Sequence, residues 1–221
     1  MATTVHAPPK IDLERIPGDG GGSWRNIPPA IGDLRRLKGS PPPASTGIWV
    51  GIAAITMTFA ALTSALIVRQ GASGDWHHFT LPPILYLDSL IIVLSSVTLE
   101  TAKRQISAFM ATSKTEEGAP SRWLYITLLA GLLFVAGQTY AWLQLKAQGF
   151  GLASNVSYSF FYVLTVAHAL HVLGGLGGLV RVIGKLGTAT LKRSTLNATS
   201  LYWHFMGALW LYLLLLLWMK L

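Results

Sequence analysis

Five windows of this chain are so long and so apolar that they can only be helices crossing a lipid bilayer. They cover residues 48–68 (IWVGIAAITMTFAALTSALIV), about 81–101 (LPPILYLDSLIIVLSSVTLET), 123–145 (WLYITLLAGLLFVAGQTYAWLQL), 156–180 and 201–219 (LYWHFMGALWLYLLLLLWM). Each reaches the roughly 20 residues that a helix needs to cover about 30 Å of hydrocarbon. Backbone groups find no water there, so a span must close its hydrogen bonds within itself, and a helix does so. The predicted fold class is an all-α integral membrane protein, with a five-helix transmembrane domain over residues 48–221. Of the 221 residues only 12% are charged and 52% are hydrophobic, and mean hydropathy is +0.48. That composition leaves no room for a sizeable soluble domain. Pro82 and Pro83 fall in the first turn of their span, where proline removes no helical hydrogen bond. Trp49, Trp123, Trp142, Trp203 and Trp218 fall near span ends and read as an interfacial belt. No internal repeat suggests an inverted-repeat transporter.

Residues 1–47 differ in kind. They hold eight of the 11 prolines, a GDGGG run and mixed charges without apolar periodicity, and read as an extended or disordered arm with short helical turns around IGDLRRLKG. The chain's beginning has no basic stretch followed by an apolar one, so no secretory signal is expected. Lysine and arginine set the orientation. The arm carries six, the 102–122 connection four and the 181–199 segment four, whereas only Arg69, Lys146 and Lys220 fall on the other side. The positive-inside rule then puts the N-terminus in the cytoplasm, and an odd number of spans puts the C-terminus across the membrane. Juxtamembrane basic residues also account for the net charge of +8, so no nucleic-acid partner is expected. The absence of cysteine excludes disulfides, thiolate zinc sites, iron–sulfur clusters and cysteine nucleophiles.

Polar side chains inside the spans are the candidate functional residues, because lipid makes them costly. At 100° per residue His168, His171, Gly174, Gly175 and Gly178 share about a third of one helix circumference. Glycines on that face admit a neighbouring helix closely, and the imidazoles are expected to hydrogen-bond across the contact. Haem ligation is the alternative. It needs a second histidine at matching depth, and His204 lies roughly 9 Å or more from that level at 1.5 Å per residue. Asp88 lies two turns into its span, with Ser95 and Thr98 continuing its face. An acid at that depth is expected to be neutral, paired with a neighbouring helix or subunit, or part of a proton relay. Glu100 has Lys103 and Arg104 at i+3 and i+4, the spacing of a local ion pair. Gln138 reads as a helix–helix hydrogen-bonding group, and His77-His78 as an exposed pair in a short loop. No P-loop, paired carboxylates or serine–histidine arrangement is present, so the residues alone indicate a packing subunit without catalytic, cofactor-binding or metal-binding residues of its own.

Four stretches carry a family resemblance: LDSLIIVLSSVTLETAKR (87–104), LLAGLLFVAGQTYAWLQL (128–145), SNVSYSFFYVLTVAHALHVLGGLGGLV (154–180) and YWHFMGALWLYLLLLLW (202–218). Together they resemble subunit III of the haem–copper oxidases, the cytochrome c oxidase type, in its five-helix form. The resemblance covers about residues 48–219. The third stretch matches the family's F-Y-x-L-T-x-x-H-x-L-H-V-x-x-G core, and the fourth is similar to its terminal Y-W-H-F motif. Three positions depart from the family pattern. Ile55 stands near the family's buried glutamate, Gly207 replaces an aspartate in the last helix, and Asp88 replaces a common asparagine.

The resemblance implies a non-catalytic subunit of an aerobic terminal oxidase in the bacterial inner membrane, with its C-terminus in the periplasm. It would brace the haem- and copper-bearing catalytic subunit I beside the copper-binding subunit II, hold structural phospholipid in a cleft and support proton uptake. Carried over by motif, His168, His171, Trp203, His204 and Phe205 would be packing or lipid-cleft residues. A subunit III-like component of a quinol oxidase or nitric oxide reductase, and a free-standing membrane haem b protein, are the alternatives.

Overall fold

The computed structural model describes residues 43–72, 81–112, 122–151, 155–188 and 190–220. The arm up to residue 42, the loop with His77-His78 and most of the 102–122 connection beyond Thr112 lie outside the described residues. Five helices make up nearly all the rest: α1 (Pro43–Ala72), α2 (Ile84–Thr112), α3 (Arg122–Ala147), α4 (Val156–Gly187) and α5 (Arg193–Lys220). All five are long and apolar enough to cross a membrane.

Local sequence sets their ends. Pro82 and Pro83 precede α2, and their carbonyls accept the amides of Leu85 and Tyr86, each at 3.1 Å. Asn155 caps α4 from an extended conformation, its side chain accepting the Ser157 amide at 2.9 Å. Gly149, with φ of 86°, ends α3 in the left-handed conformation that glycine adopts at no steric cost. Its amide reaches the Lys146 carbonyl at 3.1 Å, and the Phe150 amide reaches that of Leu145 at 3.0 Å, the paired bonds of a Schellman turn.

Several helices overrun the apolar windows. Helix α1 begins at Pro43 rather than 48, α2 reaches Thr112 rather than 101, α4 reaches Gly187 rather than 180, and α5 begins at Arg193 rather than 201. Hydropathy measures the hydrocarbon slab, whereas a helix continues wherever its own backbone bonds persist. Long basic side chains can solvate the extra turns by extending into the headgroup layer.

Contacts between helices fix their directions. Asp88 meets Gln138 and Thr98 meets Thr127, so α2 and α3 are antiparallel. Trp210 meets Ser89 and Trp203 meets Ser95, which sets α5 antiparallel to α2. Tyr202 and Thr199 face His171 and Gly178, which sets α5 antiparallel to α4. Helix α1 runs parallel to α5, with Tyr212 donating to Thr63 at 3.2 Å and Gln70 to the Lys220 carbonyl at 3.3 Å. Helices α2, α3, α4 and α5 close a four-membered ring, each against the next, and α1 lies outside it against α5 and, more lightly, α4. Lys103, Arg104, Arg122, Arg181, Lys185, Lys192 and Arg193 gather at one end, and Arg69, Lys146 and Lys220 at the other.

Trp203 and Trp210 are the bulkiest fully buried side chains, followed by Phe59, Phe134 and Phe161. Trp203 is therefore a core residue rather than a member of the interfacial belt, where Trp49 and Trp218 do lie exposed. Its indole passes over Gly131 of α3, where a Cβ would sit 2.6 Å from the ring, and over Gly175 of α4, where the distance would be 3.2 Å. We expect Gly131→Ala to lower stability by about 1–3 kcal/mol through overpacking, measured as a fall in the melting temperature of the purified protein in detergent. Gly177→Ala, where a Cβ meets nothing within 4 Å, should cause no such fall.

Candidate functional site

The candidate residues divide into three groups. The first lies on α4. Gly175 packs under Tyr202 and Trp203, Gly174 faces the Tyr202 hydroxyl at 3.6 Å, and Gly178 faces Thr199 at 3.4 Å, each measured from a built Cβ. The glycine face is thus the seat of α5. Ile48, Arg181 and Thr195 extend it into a groove of about 390 Å³ near the basic end. His168 is fully buried among Phe59 at 6.4 Å, Phe134 at 5.9 Å and Trp210 at 5.3 Å between ring centroids, and neither of its nitrogens has a hydrogen-bond partner. His171 brings Nδ1 to 2.7 Å from the Ala167 carbonyl of its own helix, and its ring meets Phe59 edge-on at 5.8 Å.

The expected hydrogen bonds from imidazole to a neighbouring helix are therefore absent. Aromatic rings from α1, α3 and α5 fill the space around His168, and His171 folds back onto the carbonyl one turn earlier, the direction that helical side chains take. The bond across the α4–α5 contact comes instead from the Tyr202 hydroxyl, which donates to the His171 carbonyl at 2.9 Å.

The second group lies between α2 and α3. Asp88 is buried, and its Oδ2 accepts from Gln138 Nε2 at 2.9 Å. Its other oxygen lies against Gly137, the one small residue that leaves room for it. Ser95 and Thr98 do not share one partner with Asp88. Ser95 turns to Trp203 of α5, and Thr98 to Thr127 of α3. Gly131, Gly137 and Tyr202 escaped the sequence reading. A glycine's importance comes from what crosses it, which no single helix records.

The third group lies near the basic end, on the far side of α5. His204 Nε2 is 3.9 Å from Glu100 Oε2, and Glu100 also meets Lys103 at 3.4 Å and Arg104 at 3.2 Å. Phe205 is half-buried against the core. The structure thus brings His168 and His171 together around Phe59 but keeps His204 with Glu100. Among the described residues no three His, Cys, Asp or Glu side chains gather as a metal-ligand group.

A ring of four helices with a fifth on its flank, its intramembrane polar groups turned largely between helices, defines a polytopic helical membrane protein. The sequence profile of cytochrome c oxidase subunit III matches residues 59–220. A probable cytochrome c oxidase subunit 3 from Nocardia farcinica is 33% identical over 173 residues, an alignment covering 76% of this chain and 83% of that protein. The cytochrome c oxidase subunit 3 of Corynebacterium diphtheriae is 30% identical over 177 residues with the same coverage. That of a Synechocystis species is 26% identical over 196 residues, covering 85% of this chain and 80% of its own length. The chain belongs to the cytochrome c oxidase subunit III family. It is a multi-pass bacterial membrane protein and part of a terminal oxidase complex.

Gln138→Leu removes the hydrogen bond that Asp88 makes and should lower stability by about 1–3 kcal/mol, the cost of leaving a buried polar group unpaired. Asp88→Asn keeps an oxygen for Nε2 and should cost less. Thermal unfolding of the purified variants checks the order, and equal losses would show that the pair carries no specific coupling.

Proposed function

We propose that this chain is a non-catalytic brace of a haem–copper oxidase. It packs against the catalytic subunit I, in a complex that also contains the copper-binding subunit II. Haem and copper belong to those partners, and residues 48–221 supply a rigid helical flank in the bacterial inner membrane. One observation carries this reading. The intramembrane groups that chemistry would use are engaged in packing, with Asp88 between Gln138 and Gly137 and His168 inside three aromatic rings.

The basic end faces the cytoplasm in this reading, because seven lysines and arginines of the described residues gather there and three lie opposite. The C-terminus is then periplasmic, and the arm of residues 1–47 is cytoplasmic. The glycine groove of α4 and α5, with Arg181 at its rim, is suited to structural phospholipid, with His168 and His171 bracing the wall beside it. Glu100 and His204 place proton-accepting groups near the same boundary, where they would support proton uptake during oxygen reduction by the catalytic subunit.

A tagged chain extracted from native membranes should co-purify with haem–copper subunits. Once separated from them, it should give no pyridine haemochrome signal. Migration alone, or haem retained on the separated chain, would overturn the reading. Deleting residues 1–40 should weaken the complex in high salt if the basic arm binds a neighbouring subunit or anionic headgroups. Unchanged assembly would remove that role from the arm.

A further inference from the structure

A second groove lies across α5 from the glycine groove. Its volume is about 590 Å³, and it runs along α2 from Val93 and Val97 to Glu100, Arg104 and Gln105, with His204 as its α5 wall. At 1.5 Å per residue the stretch from Val93 to Gln105 is about 18 Å long. Its floor is the close approach of α2 and α5, where a Cβ on Gly207 would lie 3.4 Å from Ser96 Oγ. His204 stands on the face of α5 opposite Thr199 and Tyr202, which line the other groove. The two grooves are therefore separate.

Polarity changes along this groove in one direction. The valine end, towards the middle of the span, is apolar and exposed. The basic end carries Glu100 with Lys103 and Arg104 on it, two cations to one carboxylate. Arg104 uses only Nε on Glu100 Oε1, at 3.2 Å, and its side chain is 79% exposed. Its terminal amino groups and the Gln105 amide have no partner among the described residues. A guanidinium held at one nitrogen and open at the other two suits a phosphate diester, which takes paired N–H donors. One uncompensated positive charge suits a lipid of net charge −1, and the apolar half suits its acyl chain.

We infer that this α2–α5 groove binds an anionic phospholipid, with Arg104 and Gln105 on its phosphate and an acyl chain along Val93 and Val97. Glu100 is a positioning residue here. It holds Arg104 by the i,i+4 bond and does not touch the lipid. A transmembrane helix from another subunit is the competing occupant, but the change from valine to guanidinium over one groove length follows a phospholipid's own profile.

The test uses the full-length chain within its purified, delipidated complex, titrated with phosphatidylglycerol. Phosphatidylcholine and inorganic phosphate serve as comparisons. Native protein should take up one phosphatidylglycerol that Arg104→Gln binds at least tenfold more weakly. Arg104→Lys should fall between, and Lys185→Ala, at a basic residue of α4 that lines neither groove, should leave this binding intact. A photo-crosslinking residue at position 97, with Arg104 native, should capture phospholipid, and this arm reads out even if the Arg104 variants assemble poorly. Equal uptake by native protein and Arg104→Gln, equal preference for phosphatidylcholine, competition by free phosphate alone, or capture of only a polypeptide at position 97 would each overturn the inference. Failure of the chain to co-purify with oxidase subunits would instead count against the proposed function, because lipid uptake can be measured on the chain in whatever assembly holds it.

Discussion

The bundle depends on one indole. Trp203 projects from α5 between Gly131 of α3 and Gly175 of α4, and its Nε1 donates to Ser95 of α2 at 3.0 Å. A single side chain thus touches all three partners of the ring. In lipid no hydrophobic effect drives helices together, because the solvent is as apolar as leucine. Association rests on close van der Waals fit and on polar groups that find each other. Trp203 supplies both, and its large flat surface needs glycine on two opposing helices to lie flush.

The same pairing recurs elsewhere. Trp210 donates to Ser89 at 2.9 Å, and Trp142 to Thr165 at 3.0 Å. Each accepting hydroxyl keeps its own proton for a carbonyl of its helix, Ser89 on Leu85, Ser95 on Ile92 and Thr165 on Phe161. An indole N–H needs an acceptor when buried, and a serine or threonine in a helix already satisfies its donor on the preceding turn. Together they meet every requirement without introducing charge. The helices are thereby tied to one another through neutral groups.

The number of helices and their approximate limits were legible in the sequence because lipid thickness imposes them through composition alone. The overruns at Pro43, Thr112, Gly187 and Arg193 were not, since hydropathy falls at the headgroups while the backbone ladder continues. The glycine face of α4 was legible from its angular clustering. The partners of Asp88 were not, because Gln138 and Gly137 lie 50 residues away or nearly so and nothing local marks them. Trp203 shows the same limit. Its position near a span end suggested the interface, yet the Gly131 and Gly175 beneath it draw it inside. Where a side chain's role depends on the helix opposite, one helix read alone gives half of it.

Helix α1 occupies an unusual place in time as well as in space. It is synthesised before the other four, yet the hydroxyl pair of Thr63 and Tyr212 and the Gln70–Lys220 bond tie it to α5, about 150 residues later in the chain. The ring can close without it, and it cannot take its seat until the last helix has left the ribosome. Until then it has only its lighter contact with α4, where Phe59 meets His168 and His171. Its single buried stripe, Ile52, Ile55, Phe59, Thr63 and Leu66, suits that wait, because lipid tails can cover nearly all of it at little penalty until α5 arrives.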